Sequence, residues 1–307
     1  MTVGSSVQGD PVAERREPIQ VRGEVLARRR VGAYQLVEIT AGGIAERFRP
    51  GQFVALSVGG PASALLLRRS FAVYRATPVG AFSGTVQIVV GVHGRGTEWL
   101  AGVRPGEPLD VVGPLGRPFR LPAAPTGCLL VGGGYGSAPL FSLAEALRAR
   151  ECRVDFLLGA GSQDRLFGEL EAKRTAGAVA VCTDDGSVGR RGFVTQLVPE
   201  YEAWADQAFA CGPAPMLAAL ARLAAGRRER LGVARLGRKR GAGKAAPLGS
   251  PAARRKAFLQ VSMEQNMGCA VGACLGCVVM DTKGAPQRVC REGPVFASDE
   301  LAWEGGW

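Results

Sequence analysis

Histidine is almost missing from this chain: His93 is the only one in 307 residues. It lies beside the glycine-bounded turn 94–97 and reads as a solvated loop residue rather than a catalytic one. No nucleophile–base–acid set can be assembled from the sequence. Long apolar runs are missing too. None approaches the roughly 20 residues that a membrane-spanning helix needs. Residues 1–10 lack the apolar core of a secretory signal, so an oxidising compartment is not expected and a cytoplasmic protein is. No segment repeats another. What remains is a chain long enough for two or three domains, with 47% hydrophobic residues to build their cores.

Charge is uneven. The formal net charge is +11, yet residues 227–256 alone hold eleven Lys and Arg against one acid, Glu229. The rest of the chain is therefore close to neutral. That stretch is rich in Gly and Ala and contains Pro247 and Pro251, which predicts a solvated linker over 227–257 rather than a basic face. Nucleic-acid binding is not expected on this count. A contact of the stretch with RNA, a membrane or an acidic partner stays open.

Eight cysteines are present, and four of them cluster. Cys269, Cys274 and Cys277 lie in Met267-Gly268-Cys269-Ala270-Val271-Gly272-Ala273-Cys274-Leu275-Gly276-Cys277, and Cys290 follows after twelve residues. The spacing C-x4-C-x2-C…C is the plant-type pattern for a [2Fe–2S] cluster held on four thiolates. Gly268, Gly272 and Gly276 let the backbone approach such a cluster closely. Zinc commonly takes two C-x2-C pairs, and only one occurs here. Two disulfides are the remaining reading. Cys128, Cys152 and Cys182 fall in apolar strands and read as small core residues.

Residues 1–18 are polar and aperiodic, and disorder is expected there. From 19 to 122, short β-branched runs at 21–26, 34–39, 52–58, 70–74 and 85–91 are separated by turns such as Pro50-Gly51 and Pro105-Gly106, which predicts an antiparallel β-barrel. From 123 to 226 the pattern becomes strand–helix alternation, predicting an α/β domain with a parallel sheet. Strands are expected at 128–131, 153–158, 179–183 and 207–210, and a helix at 139–150. The final unit, 258–307, is the cysteine-rich module. Gly132-Gly133-Gly134-Tyr135-Gly136 joins the first parallel strand to its helix, the setting in which a pyrophosphate meets free helix amides. Asp184-Asp185-Gly186 and Cys211-Gly212-Pro213 each follow a later strand, so all three segments converge on the carboxyl edge of the sheet. An acid at 184 or 185 suits ribose hydroxyls, and Asp-Gly equally suits a plain turn.

Taken in order, Leu67-Arg68-Arg69-Ser70-Phe71-Ala72-Val73, Gly94-Arg95-Gly96-Thr97, the loop 132–139, Cys211-Gly212-Pro213 and the cysteine module resemble the ferredoxin–NADP reductase-like flavoproteins. Within them, the chain is most similar to the electron-transfer subunits of NAD-dependent dihydroorotate dehydrogenases. The most specific parts are Val261-Ser262-Met263-Glu264 and Arg288-Val289-Cys290-Arg291-Glu292-Gly293-Pro294-Val295-Phe296. The resemblance covers about 19–225 and 258 to the end. It implies FAD on the barrel, NAD on the α/β domain and a cluster module facing an FMN-containing catalytic subunit, in a heterotetramer with two of each. It also implies flavin contacts from Arg69, Ser70, Phe71, Ala72, Val89, Val90, Gly91, Gly96 and Thr97, with Arg69 on the pyrophosphate. Nicotinamide contacts would come from Gly132, Gly133, Gly134, Gly136, Asp184, Asp185, Cys211, Gly212 and Pro213. Phe296 and Trp303 are expected as apolar anchors for the partner.

The chain departs from that pattern at Ala72, which lacks a hydroxyl usual beside the flavin ring, and at Gly91, where relatives often carry arginine. No arginine directly follows Gly161-Ser162 to meet a 2′-phosphate, which favours NAD over NADP. A reductase subunit of a hydrogenase or a ferredoxin:NADP oxidoreductase fits the same residues. From another class, so does a nucleic-acid-binding or redox-sensing protein that uses the basic stretch.

Overall fold

The computed structural model describes residues 17–60, 63–80, 83–201, 203–238 and 258–303. The first unit is a closed six-stranded barrel of β1 (Ile19–Val31), β2 (Tyr34–Thr40), β3 (Phe53–Leu56), β4 (Arg69–Thr77), β5 (Thr85–Val90) and β6 (Pro108–Leu115), in the order β1-β2-β5-β4-β3-β6. Alternating apolar residues turn inward, and Val37, Ile39, Val54, Leu56, Val73, Val86 and Ile88 fill the barrel. β1 closes it by pairing with β6 through Glu24 and with β2 from Val25 onward. Gly23 sits at that changeover, where a Cβ would come within 2.0 Å of the Thr40 carbonyl oxygen. Helix α1 (Arg95–Ala101) lies between β5 and β6. Neither α1 nor β6 was legible from periodicity.

The second unit runs β7 (Gly127–Gly133), α2 (Ala138–Arg148), β8 (Arg153–Ala160), α3 (Glu169–Thr175), β9 (Val179–Thr183), β10 (Arg190–Arg191), α4 (Val198–Tyr201), β11 (Gln207–Cys211) and α5 (Ala214–Arg238). The C-terminal segment adds β12 (Leu259–Ser262), the hairpin β13 (Val278–Met280) and β14 (Pro286–Arg288), and β15 (Val295–Ala297). Seven strands form one sheet, β10-β9-β8-β7-β11-β12-β15, parallel except that β15 runs against β12.

Two features differ from the sequence reading. The cysteine module is spliced to the nucleotide sheet at its start: Ala208 pairs with Leu259 and Ala210 with Val261, so β12 continues that sheet. The predicted linker also begins too early. Residues 227–238 continue α5, because Ala, Leu and Arg are strong helix formers even in a basic run. Residues 1–16 and 239–257, which carry the expected disorder and most of the basic stretch, lie outside the described residues.

The barrel packs on the sheet. Arg75 bridges Glu145 on α2 and Glu171 on α3 at 2.7 and 2.6 Å, and the Tyr74 hydroxyl donates to Glu171. The β1–β2 turn docks on the loop after β8, with Ala33 N–H donating to the Asp164 carbonyl at 2.7 Å and the Tyr34 hydroxyl to the Arg165 carbonyl at 2.9 Å. Phe53 and Ala55, on the outer face of β3, share a core with Val261, Cys277 and Cys290.

Candidate functional site

The cysteine loop is a chain of tight turns. Ala270, Gly272 and Leu275 all take positive φ, at 62°, 88° and 57°. These turns aim backbone amides at sulfur. Ala273 and Cys274 N–H donate to Cys269 Sγ at 3.2 and 3.3 Å, Gly276 N–H to Cys274 Sγ at 3.4 Å, and Cys290 N–H to Cys277 Sγ at 3.4 Å. Burial raises the pKa of Cys269, yet the amides of Cys274, Val271 and Ala273 outweigh it and hold the thiol down to about 6. Cys290 is pushed up to about 12 by burial and by the neighbouring Cys277.

All four are free thiols, so the disulfide reading finds no support. They group as two contacting pairs, Cys269 with Cys274 and Cys277 with Cys290. Among the described residues no three His, Cys, Asp or Glu side chains converge on a single-ion site. Two pairs of thiols suit two irons, whereas a zinc ion needs all its ligands about 2.0–2.3 Å from one point. Gly268 and Gly276 leave room beside the sulfur of Cys274, where a Cβ would stand 3.3 and 3.5 Å away. The residues therefore fit a [2Fe–2S] cluster.

A clasp holds the loop from behind. Arg288 pairs with Glu292 at 2.6 Å and donates to the Gly272 carbonyl at 2.9 Å. Around the exposed Cys274 the surface is apolar, with Val271 49% and Leu275 63% exposed. The expected anchors lie elsewhere. Phe296 is 6% exposed and belongs to the core, its ring lying where a side chain on Gly293 would go. Trp303 is half-buried and donates its indole N–H to the Ser298 carbonyl at 2.7 Å.

At the carboxyl edge of the sheet, the glycine-rich loop and the Cys211–Pro213 turn touch backbone to backbone. A Cβ on Gly136 would lie 2.7 Å from Gly212 Cα, and one on Gly133 would lie 2.8 Å from Pro213 Cδ. Gly132 packs on Ser137 in the same way, and Gly134 turns at φ 56°. Beyond them a 3-10 turn (Gly134–Ser137) leads into α2, so amides converge there without side chains in front of them. Cys211 is pushed up to about 12 by burial and by Glu264. Tyr135 joins this edge to the cysteine module: its hydroxyl donates to Glu264 Oε1 at 2.9 Å. Its ring meets Tyr34 and His93 at centroid distances of 5.6 and 5.7 Å.

The barrel residues divide. Arg69 and Gly96 come together, with a Cβ on Gly96 only 2.8 Å from Arg69 Nε. Among the described residues the guanidinium's one hydrogen bond is to the Leu67 carbonyl, at 2.6 Å, so an anion can still reach it. Ser70 Oγ is buried without a partner among the described residues, and Ala72 is half-buried two residues along. Phe71 is half-buried against the barrel core, whereas Val89 and Val90 are buried in two different cores and offer a ligand backbone only. Gly91 leaves space filled by Tyr135 and His93. The Thr97 hydroxyl closes its own turn, accepting from the amides of His93 and Gly94.

Asp184 and Asp185 are exposed, on the loop after β9. Asp185 accepts from the Ser187 amide and hydroxyl at 2.9 and 2.6 Å, which lowers its pKa and marks it as a turn former. Asp184 carries no such side-chain bond. Sequence reasoning missed Tyr135, Glu264 and the Arg288–Glu292 clasp as site residues. Only the clasp left a local signal, an opposite-charge pair four residues apart.

Residues 264–302 match the model of the iron-sulfur cluster binding domain of dihydroorotate dehydrogenase B. The electron transfer subunit of dihydroorotate dehydrogenase B (NAD(+)) from Bacillus caldolyticus is 37% identical over 282 residues, covering 90% of this chain and 96% of that protein. The subunit of the same name from Geobacillus kaustophilus (strain HTA426) is 36% identical with the same coverage. Among solved structures, one described as an NADH-dependent reduced ferredoxin–NADP oxidoreductase with flavin-based electron bifurcation superposes with a TM-score of 0.71 and 26% identity, over 92% of this chain and 91% of the other. The ferredoxin reductase of carbazole 1,9a-dioxygenase shares the fold at a TM-score of 0.56 and 21% identity, over 68% of this chain and 66% of its own. With relatives this similar along nearly their whole length, the chain belongs to the family of dihydroorotate dehydrogenase B (NAD(+)) electron transfer subunits.

Proposed function

We propose that this subunit takes electrons from an FMN-containing catalytic subunit that oxidises dihydroorotate and delivers them, by way of a [2Fe–2S] cluster and FAD, to NAD⁺. Two copies of each subunit would assemble in a soluble, cytoplasmic enzyme. The observation that carries the reading is the cysteine loop. It presents two thiol pairs, with Cys274 exposed among Val271 and Leu275, on a segment continuous with the sheet whose edge bears the glycine-rich loop.

A bound FAD exchanges electrons singly or in pairs, whereas an iron–sulfur cluster handles one and nicotinamide two, so the three together link one-electron and two-electron chemistry. The chain's own residues bind and orient. Cys269, Cys274, Cys277 and Cys290 would be the iron ligands, their sulfurs steadied by amide donors. Arg69 would neutralise the FAD pyrophosphate against the backbone at Gly96, and Thr97 keeps that turn closed. Ser70 and Ala72 would flank the flavin. The amides of 132–136 and the Cys211–Pro213 turn would receive the NAD pyrophosphate and nicotinamide, and the absence of Cβ atoms lets the two loops stay in contact. Asp184 would face the ribose, and Asp185 shapes its loop. Burial keeps Cys211 a neutral thiol near pH 7, so it serves as a small packing group rather than a nucleophile.

Reconstitution tests the reading. The isolated, cofactor-loaded chain is expected to reduce artificial acceptors with NADH and to leave dihydroorotate untouched. Adding an FMN-bearing catalytic subunit should confer NAD⁺-dependent dihydroorotate oxidation. Turnover of dihydroorotate by the chain alone would end the proposed division of labour. Productive coupling to a ferredoxin or hydrogenase instead would replace the partner, a reading that the 26%-identical oxidoreductase structure supports.

A further inference from the structure

A cleft of about 620 Å³ lies away from the residues proposed to contact the cofactors and shares only Glu292 with the clasp behind the cysteine loop. It opens between the β6–β7 connection, the amino-terminal ends of β11 and β12, and the β13–β14 turn. Gln207, which lines it, is the first residue of β11, at the opposite end of that strand from Cys211.

Three of the acids in the cleft are already engaged. Asp281 accepts from the amides of Lys283 and Ala285, both at 2.8 Å, and from the Gln287 side chain at 3.1 Å. Glu292 is held by Arg288, and Glu300 accepts from the Ala297 amide. Three cations are not engaged among the described residues: the exposed Lys283, Arg117 and Arg120. Among the described residues no hydrogen bond or ion pair occupies the exposed guanidinium groups of Arg117 and Arg120.

The neutral groups show the same contrast. Gln260 is satisfied at both amide atoms by the Arg120 backbone, at 2.9 and 2.8 Å. Gln207 is 8% exposed, and its Oε1 is buried with no hydrogen-bond partner among the described residues. Native structures seldom leave a buried amide oxygen without a donor, because its lost hydration is then uncompensated. The cleft thus combines two free guanidinium forks, which suit planar or tetrahedral oxyanions, with one buried acceptor that lacks a donor.

We propose that this cleft binds a small organic anion whose carboxylate or phosphate meets Arg117 and Arg120 and whose N–H group donates to Gln207 Oε1 once the Gln207 amide on the cleft wall turns toward it. Such a site would let a soluble metabolite act on the subunit without competing for its cofactors.

Calorimetric titration of the full, cofactor-loaded chain, with NAD⁺ present to fill the nucleotide edge, tests the idea. Orotate and uridine 5′-monophosphate offer a ring N–H together with a carboxylate or a phosphate, whereas benzoate offers the anion alone. At least one of the first two should bind about tenfold more tightly than benzoate, the discrimination given by one ordinary hydrogen bond. Whichever binds more tightly identifies the anion. Gln207→Met should erase that preference, and the double change Arg117→Ala, Arg120→Ala should weaken all binding about tenfold or more, with FAD and iron contents unchanged. Absence of saturable binding by all three probes, or binding indifferent to both sets of substitutions, would overturn the proposal.

Discussion

Arg69 is the single side chain on which the proposed FAD pyrophosphate contact rests. Its guanidinium lies against Gly96, with one backbone carbonyl as its only hydrogen-bond partner among the described residues. Arg69→Ala removes a charge-assisted contact of roughly 1.5–3 kcal/mol, so FAD affinity should fall about 10- to 150-fold in a fluorescence titration. Unchanged affinity would move the pyrophosphate elsewhere. Arg69 and Gly96 were legible through the family resemblance, and the four cysteines through spacing alone. The fates of Phe71, Val89, Val90 and Phe296 were not. Whether an apolar residue faces a core or a ligand depends on strands packed from distant sequence, and a one-residue change of face reverses the answer. The Tyr135–Glu264 bond, across 129 residues, left no local trace at all.

At the scale of elements, the clasp behind the cysteine loop makes a pH-dependent contribution. Arg288 holds the Glu292 carboxyl below its usual range, with burial opposing. A carboxyl depressed in the folded state stabilises fully above its unfolded pKa and loses that contribution as pH falls through the folded value. Glu292→Gln should therefore release iron faster than wild type at neutral pH, and the two should converge in acid as Glu292 is protonated. Identical release curves across the pH range would mean that the clasp does not support the loop. Helix α5 teaches a different lesson. Composition marked 227–238 as linker because charge and glycine dominate there, but helix propensity and continuation from a packed first half prevailed. Deleting 239–257 and rejoining the ends with a short spacer should leave FAD, iron and NADH-dependent dye reduction nearly unchanged, since that stretch has little to bury. Loss of soluble protein would reveal a structural element there.

Across the whole molecule, the barrel, the nucleotide sheet and the cysteine module share cores, yet their proposed cofactor contacts come from different segments. Cys274→Ser should strip the visible iron–sulfur signal while FAD remains, because Arg69 and Gly96 belong to the barrel. Dye reduction by NADH should survive the change, and coupling to the catalytic subunit should not. A full [2Fe–2S] signal in the variant would reject the ligand assignment. The sequence reading had the order of the three units right, but it missed that β12 and β15 are strands of the nucleotide sheet itself. Runs of four and three residues are too short to announce themselves by period.

That splice has a mechanical consequence. Carriers that ferry electrons on a flexible tether can visit donor and acceptor in turn. Here main-chain hydrogen bonds tie β12, which leads into the iron loop, to β11, whose end bears Cys211. The loop is a fixed terminal, wired into the frame. If electrons enter there as proposed, such a terminal suits a standing complex with the donor better than a swinging carrier would.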